Sequence, residues 1–337
     1  MNFKEKIRIK DLRVGYATSN QNGFSYPTIN CNAMEAELIA LVGRNGIGKS
    51  TLLRTIAKLQ PILSGQIGIT GQSIETVGIS VFARLVSFIP AEPVHSPNTT
   101  VADFVSLARY PYHGWFDSLN SDDEQAIENS LIAVNMLSYK HRFIDRLSDG
   151  ERQRAMIAFA IAQDTPIILM DEPTAFLDLP NKFEVIRLLK EQSKLGKTVI
   201  LSTHDLQTAF GLVDTIWLML PDGIKVGAPE DIVLSGSINQ LMEETSVSFD
   251  LSTGQFLYRQ LRSHAAQIAA EDNKLYQWTK HALERIGYTI PANNPDENSL
   301  LVEVTDSEGR VQWCLNQLAH KPTFDSLKDL CLFIKQL

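Results

Sequence analysis

Apolar positions alternate or cluster in short runs through the first two thirds of the chain. Residues 7–16 read as a strand, with Ile7, Ile9, Leu12 and Val14 apolar. Residues 37–42 (ELIALV) form a compact apolar run suited to a buried strand, and Gly43 follows at once. Residues 50–59 then take helical spacing through Leu52, Leu53, Ile56 and Leu59, and Pro61, Ser64 and Gly65 end it. Further short strands are expected up to Ile89. Helices are predicted at 101–110 and 122–137, and buried strands at 166–170 and 198–202. Strands alternating with helices indicate an α/β sheet that is at least partly parallel.

The pattern changes near residue 245. Residues 273–287 are predicted as an amphipathic helix with Leu275, Trp278, Ala282, Leu283 and Ile286 on one side. Residues 300–305 and 311–315 read as strands, with Gly309 in the turn between them. Residues 324–337 read as a second amphipathic helix through Phe324, Leu327, Leu330, Ile334 and Leu337. This describes a small α+β unit large enough for a modest core.

Composition narrows the function classes. Of 337 residues, 44% are hydrophobic and 21% charged, which excludes disorder and fibrous repeats. The net charge of −8 argues against a duplex nucleic-acid partner, so none is expected. Cys31, Cys314 and Cys331 are scattered, without a CxxC pair, and point to a reducing compartment rather than a disulfide framework or a zinc site. Residues 1–10 carry no apolar leader, and no stretch approaches the roughly 20 apolar residues of a membrane span. A soluble, cytoplasmic chain is expected, with any membrane role exerted through a partner.

The strongest local chemistry is Gly43-Arg44-Asn45-Gly46-Ile47-Gly48-Lys49-Ser50, between a predicted strand and a predicted helix. It fits G-x-x-x-x-G-K-[ST], a phosphate cradle in which glycines bring backbone N–H groups close to phosphate oxygens. The helix start adds its positive end. Lys49 is expected at the β/γ-phosphates, Ser50 on Mg²⁺ and Thr51 near the α-phosphate. The alternative is a glycine-rich turn with an incidental Lys-Ser. The apolar strand Ile167-Ile168-Leu169-Met170 ends in Asp171-Glu172. Asp171 can face Mg²⁺, and Glu172 can polarise an attacking water. By itself such a pair is more often a solvated strand end. His204, after another apolar strand, is either structural or a contact to the γ-phosphate.

Taken with Leu147-Ser148-Asp149-Gly150-Glu151-Arg152-Gln153-Arg154, then Ile168 to Thr174, then Phe176-Leu177-Asp178 and His204-Asp205, these segments resemble in order and spacing the ATP-binding cassette (ABC) ATPases. The resemblance covers about residues 5–245. It implies a P-loop NTPase fold of the ABC ATPase class: α/β, a mixed sheet plus a helical subdomain at about 91–163, within a nucleotide-binding domain at 1–245. A C-terminal α+β accessory domain at 246–337 follows. LSDGERQR is similar to the signature variant of iron-chelate and vitamin B12 importer ATPases. Its composition suits a helix N-cap, an anion site that in the family grips the γ-phosphate of ATP held by a second copy.

The resemblance therefore implies ATP and Mg²⁺ as cofactors. It implies a head-to-tail dimer with two sandwiched ATP molecules, a polytopic permease and, indirectly, a substrate-binding protein. Localisation at the cytoplasmic face of the inner membrane follows. Glu172 and His204 take the catalytic positions. Tyr16, Gly43, Asn45, Gly46, Gly48, Lys49, Ser50, Thr51, Ser148, Gly150, Glu151 and Asp178 take the nucleotide-binding ones. Ser50 and Asp171 take the metal positions. The family usually has Gln where this chain has Ala91, so either Glu92 replaces it as a metal ligand or Ser50, Asp171 and water suffice. The segment Ala108-Arg109-Tyr110-Pro111-Tyr112-His113-Gly114-Trp115 is similar to one in ATPases for ferric siderophores, haem and cobalamin, where the helical subdomain lies against the permease. The expected function is ATP hydrolysis powering import of iron–siderophore complexes. Haem or cobalamin import, a soluble ABC ATPase, a non-hydrolysing nucleotide-gated subunit and an exporter remain as alternatives. The C-terminal unit carries no ligand motif, and His281 is expected to be a surface or packing residue.

Overall fold

The computed structural model describes residues 4–16, 24–92, 96–113, 118–175, 177–243, 245–250, 255–258, 264–291, 299–307, 310–316 and 321–336. Gly114, Trp115, Phe176, Gly309 and Leu337 lie outside the described residues. Two compact units divide the chain, Met1–Glu243 and Glu244–Leu337.

In the first unit a six-stranded sheet runs in the order Gly223–Gly227, Thr215–Leu220, Leu38–Gly43, Thr198–Thr203, Ile167–Met170, Val86–Ile89. Every neighbouring pair is parallel except the outermost, where Gly223–Gly227 runs antiparallel to Thr215–Leu220. Strands flanked on both faces must be apolar throughout, and Leu38–Gly43, Ile167–Met170 and Thr198–Thr203 are buried at every position. A second, antiparallel sheet orders Ile29–Met34, Glu5–Arg13, Ser64–Ile69 and Gln72–Ser73. Its inward residues Ile7, Ile9, Leu12, Ile67 and Ile69 share one core with Ile39, Leu41, Trp217 and the helix residues Leu52, Leu53 and Ile56. Tyr26 spans the gap, donating its hydroxyl to the Leu220 carbonyl at 2.8 Å.

Several elements are shorter than the periodicity predicts, each for a local reason. The first helix covers Lys49–Ile56, so Leu59 lies beyond it and is exposed. The expected helix at 101–110 is α-helical only over Val101–Ser106 and then tightens into a 3₁₀ helix, Leu107–Tyr112. Pro111 supplies no N–H and disfavours the α conformation at Tyr110, which explains the change. The next helix, Ser121–Ala133, stops before Asn135, whose φ of 57° is left-handed.

The second unit pairs strands in the order Tyr288–Thr289, His264–Ala270, Leu300–Ser307, Arg310–Leu315, Thr323–Phe324. Helices Asn273–Arg285 and Leu327–Ile334 bury Leu283, Leu330 and Ile334 against Ala266, Val302, Trp313 and Leu315. Two expectations are corrected here. Phe324 belongs to a strand, and the last helix begins only after Ser326, whose side chain caps the Asp329 N–H at 3.1 Å. Trp278 is exposed rather than on the packed face. It lies about 100° around the helix from Thr279, and Thr279 is the residue that faces the core, accepting the Trp313 indole N–H at 2.9 Å. The strand His264–Ala270, parallel to Leu300–Ser307, had no counterpart in the sequence reading. No described helix is long and apolar enough to cross a membrane.

Candidate functional site

The carboxyl ends of the parallel strands converge on one cleft, where ligands of open α/β sheets bind. Its volume is about 450 Å³, and Tyr16, Phe24, Asn45, Gly46, Gly48, Lys49, Ser50, Thr51, Glu172 and His204 line it. Nine of the residues singled out in the sequence thus meet in one place. Gly43 ends the strand beneath them. Gly48 opens the helix at φ +112°, and a Cβ there would stand 2.7 Å from the Phe24 ring, so only glycine fits.

Lys49 is 6% exposed. Its ammonium donates to the carbonyls of Gly43 at 2.9 Å and Arg44 at 3.3 Å, which holds the side chain back along the cradle. Burial lowers its pKa, and the charges of Glu172 and Asp171 partly offset that.

Asp171 is buried at the end of its strand, with its N–H bonded to the Ile89 carbonyl at 2.9 Å. One carboxylate oxygen, Oδ1, accepts both the Ser50 hydroxyl at 3.0 Å and the Ser202 hydroxyl at 2.7 Å. Ser202 in turn accepts the Glu172 N–H at 2.8 Å. Glu172 has φ 50°, a left-handed backbone that for a non-glycine residue costs on the order of 1–3 kcal/mol. That turn swings its carboxylate into the cleft, where Oε2 meets the His204 imidazole Nδ1 at 2.8 Å. A hard-oxygen pair, Ser50 hydroxyl and Asp171 carboxylate, fits Mg²⁺, which is bound by one or two carboxylates plus water and phosphate oxygens. Glu92 is exposed and is not among the residues lining the cleft.

The remaining nucleotide-binding candidates sit elsewhere. Ser148 caps the helix Asp149–Ala162 in a reciprocal box: the Glu151 N–H reaches the Ser148 hydroxyl at 3.3 Å, and the Ser148 N–H reaches Glu151 Oε2 at 2.8 Å. Burial raises the Glu151 pKa, but hydrogen bonds from Ser148 and Tyr139 and the charge of Arg142 outweigh it, leaving the carboxyl below its ordinary value. Asp178 caps the next helix, Leu179–Lys194, and also accepts the Asn181 amide at 2.7 Å. Asn181 packs 3.5 Å from where a Gly150 Cβ would stand and accepts Arg154 at 3.4 Å, joining the two helix starts. Sequence reasoning missed Ser202, Asn181 and Phe24. Ser202 carried a signal, a small hydroxyl residue directly after the aliphatic run Val199-Ile200-Leu201 and two positions before His204.

The Ser202 geometry makes a direct prediction. Ser202→Ala removes a donor to Asp171 and orphans the buried Glu172 N–H. Steady-state ATPase assays are expected to show kcat about 10–100-fold lower, the cost of losing a partner that orients a ligand, with KM for ATP little changed.

Comparison with known proteins places this geometry. Residues 26–175 match the family model described as ABC transporter, and residues 263–335 match that of the iron ABC transporter C-terminal domain. The chain is 34% identical over 223 residues to a petrobactin import ATP-binding protein of Bacillus anthracis, covering 66% of this chain and 81% of the relative. It is 32% identical over 241 residues to the ferric enterobactin transport ATP-binding protein of Escherichia coli, covering 70% and 86%. Among solved structures, an inward-facing metal-chelate type ABC transporter superposes with a TM-score of 0.62 at 25% identity, covering 75% of this chain and 96% of the other.

Proposed function

This chain belongs to the ABC transporter family as an ATP-hydrolysing, ATP-binding subunit, and we propose that it powers an importer of iron–siderophore complexes. The observation that carries the proposal is the meeting of Lys49, the Ser50–Asp171 pair and the Glu172–His204 pair in one cleft. The C-terminal match to an iron-transporter domain and the import roles in the relatives' names support the cargo class.

ATP lies with its phosphates in the cradle of residues 43–50 and its base against Tyr16. Lys49 and the backbone N–H groups around Gly46 and Gly48 hold the β/γ-phosphates. Mg²⁺, held by Ser50 Oγ and the Asp171 carboxylate, would supply positive charge to the phosphate oxygens. Glu172 takes a proton from the attacking water, and His204 orients Glu172 while reaching toward the γ-phosphate. Ser148 and Gly150 at the exposed helix start, with Asp178 nearby, serve the nucleotide of a second copy, so two chains complete two sites. Glu151 serves by holding the Ser148 cap. The chain sits peripherally on the cytoplasmic face of the inner membrane through a polytopic permease, which a substrate-binding protein loads. Residues 91–163 form the permease-facing helical part, with Tyr110, 69% exposed, at its surface.

Affinity purification of tagged chain from detergent-extracted membranes tests this reading. A stoichiometric polytopic membrane protein that stimulates ATP hydrolysis when its binding protein carries a ferric siderophore is expected. Recovery of ribosomes or DNA-repair proteins without a membrane protein overturns it.

A further inference from the structure

The segment 108–113 places only Tyr110 on the surface, and its other polar side chains turn inward. Arg109 Nε donates to Asp123 Oδ1 at 2.8 Å, and His113 Nε2 lies 2.7 Å from Asp123 Oδ2. The Asn120 N–H completes the set at 2.9 Å, and Asp123 is 1% exposed. Burial pushes the Asp123 carboxyl up, but the Asn120 N–H, Arg109 and His113 outweigh it and hold the carboxyl below its usual range. A charge this deep is stable only when partnered. Arg109 and the Asn120 N–H supply its hydrogen bonds, with His113 beside it but without hydrogen-bond geometry.

The same cluster grips one end of the helix that Ser148 begins. Arg109 Nη1 donates to the Ala162 carbonyl at 2.8 Å, and the Tyr112 hydroxyl donates to the Gln163 carbonyl at 2.9 Å. These are terminal carbonyls left without intrahelical partners, at the negative end of the helix dipole, where a cation is favoured. Two guanidiniums lie over the Tyr112 ring, Arg109 at 4.2 Å and Arg84 at 5.2 Å from its centre. From the other side, Gln163 Nε2 donates to the Ala83 carbonyl at 2.8 Å, just before the edge strand Val86–Ile89. The helix has 14 residues and is about 21 Å long, so a small rotation at this end displaces Ser148 at the other.

We propose that Arg109, Tyr112 and Asp123 are positioning residues that lock the carboxyl end of the Ser148 helix and thereby fix the direction in which its amino end faces the nucleotide of a second copy. The facing nucleotide rests on the two-chain site proposed above; the lock does not. It explains why a motif whose position suggests partner contact spends three of its polar side chains internally.

Tyr112→Phe tests the lock, because it removes one hydroxyl and keeps the ring against its two arginines. Spin labels at Asp149→Cys and Glu191→Cys, in a cysteine-free background of the full chain, report the helix direction in the monomer. The distance distribution is expected to broaden in Tyr112→Phe; an unchanged distribution overturns the lock. In a Glu172→Gln background, ATP-driven dimerisation followed by analytical ultracentrifugation is expected to weaken about 2–10-fold in Tyr112→Phe, the worth of one hydrogen bond. Monomer affinity for a fluorescent ATP analogue is expected to stay unchanged. Equal dimer constants, or parallel loss of ATP affinity, overturn the positioning role. Broadened distances in a Tyr112→Phe chain whose parent never dimerises with ATP uphold the lock and overturn the two-chain site instead.

Discussion

Replacing Glu172 by Gln is expected to leave ATP binding intact and to lower hydrolysis by about 10²–10⁴-fold, the range for removing a positioned general base. Gln keeps the size and the left-handed backbone of Glu172 and loses only the ability to take a proton. The contact to His204 at 2.8 Å remains possible, because an amide can also bond an imidazole. The damage is therefore confined to the chemical step. ATP is bound and not consumed, so the variant is expected to accumulate as an ATP-loaded dimer, seen by size-exclusion chromatography with retained nucleotide. Near-normal hydrolysis in the assembled complex would remove Glu172 from the catalytic assignment.

Lys49→Ala is expected to act earlier, on binding itself. The Lys49 ammonium is buried, and no carboxylate lies within ion-pair distance of it among the contacts of the described residues; its hydrogen bonds go to two backbone carbonyls. Such a charge, desolvated and held beside the cradle, gains its counter-ion when phosphates arrive. Charge-assisted hydrogen bonds are worth about 1.5–3 kcal/mol each, so equilibrium titration is expected to show ATP affinity reduced by about 100-fold, with turnover abolished. Because the helix Lys49–Ile56 buries Leu52, Leu53 and Ile56 independently of this side chain, the thermal midpoint is expected to change little. Unaltered ATP affinity would mean that the nucleotide lies elsewhere.

Much of this site is written in local sequence. The cradle is contiguous, so its glycines, Lys49 and Ser50 are readable together, and Asp171 and Glu172 announce themselves by ending an aliphatic run. Ser202 and Asn181 are different. Each acquires its role from a neighbour 30 or 31 residues away, as Ser202 does from Glu172 and Asp171, or from packing between two helix starts. Only strand register creates such pairs, here Leu201 opposite Met170, and register is not a local property. The same limit explains Trp278. Helical periodicity groups it with Leu275, Ala282 and Leu283 on the apolar side, yet the indole that fills the core comes from Trp313 on a strand. Pro111 shows the reverse case, a residue whose effect on the predicted 101–110 helix is local and therefore open to a sequence reading.

The single hydroxyl of Ser202 serves two neighbours at once, and its position is fully buried. In a saturation library at codon 202, selected for growth on the imported nutrient, the surviving alphabet is therefore very small. Alanine and glycine lack the hydroxyl, and cysteine is a weak donor. Threonine keeps the hydroxyl and suits a strand, yet its methyl enters a packed interior where one added carbon costs about 1–3 kcal/mol. Sequencing of survivors would return serine almost alone, and the position would look as invariant as position 172 without itself lining the cleft.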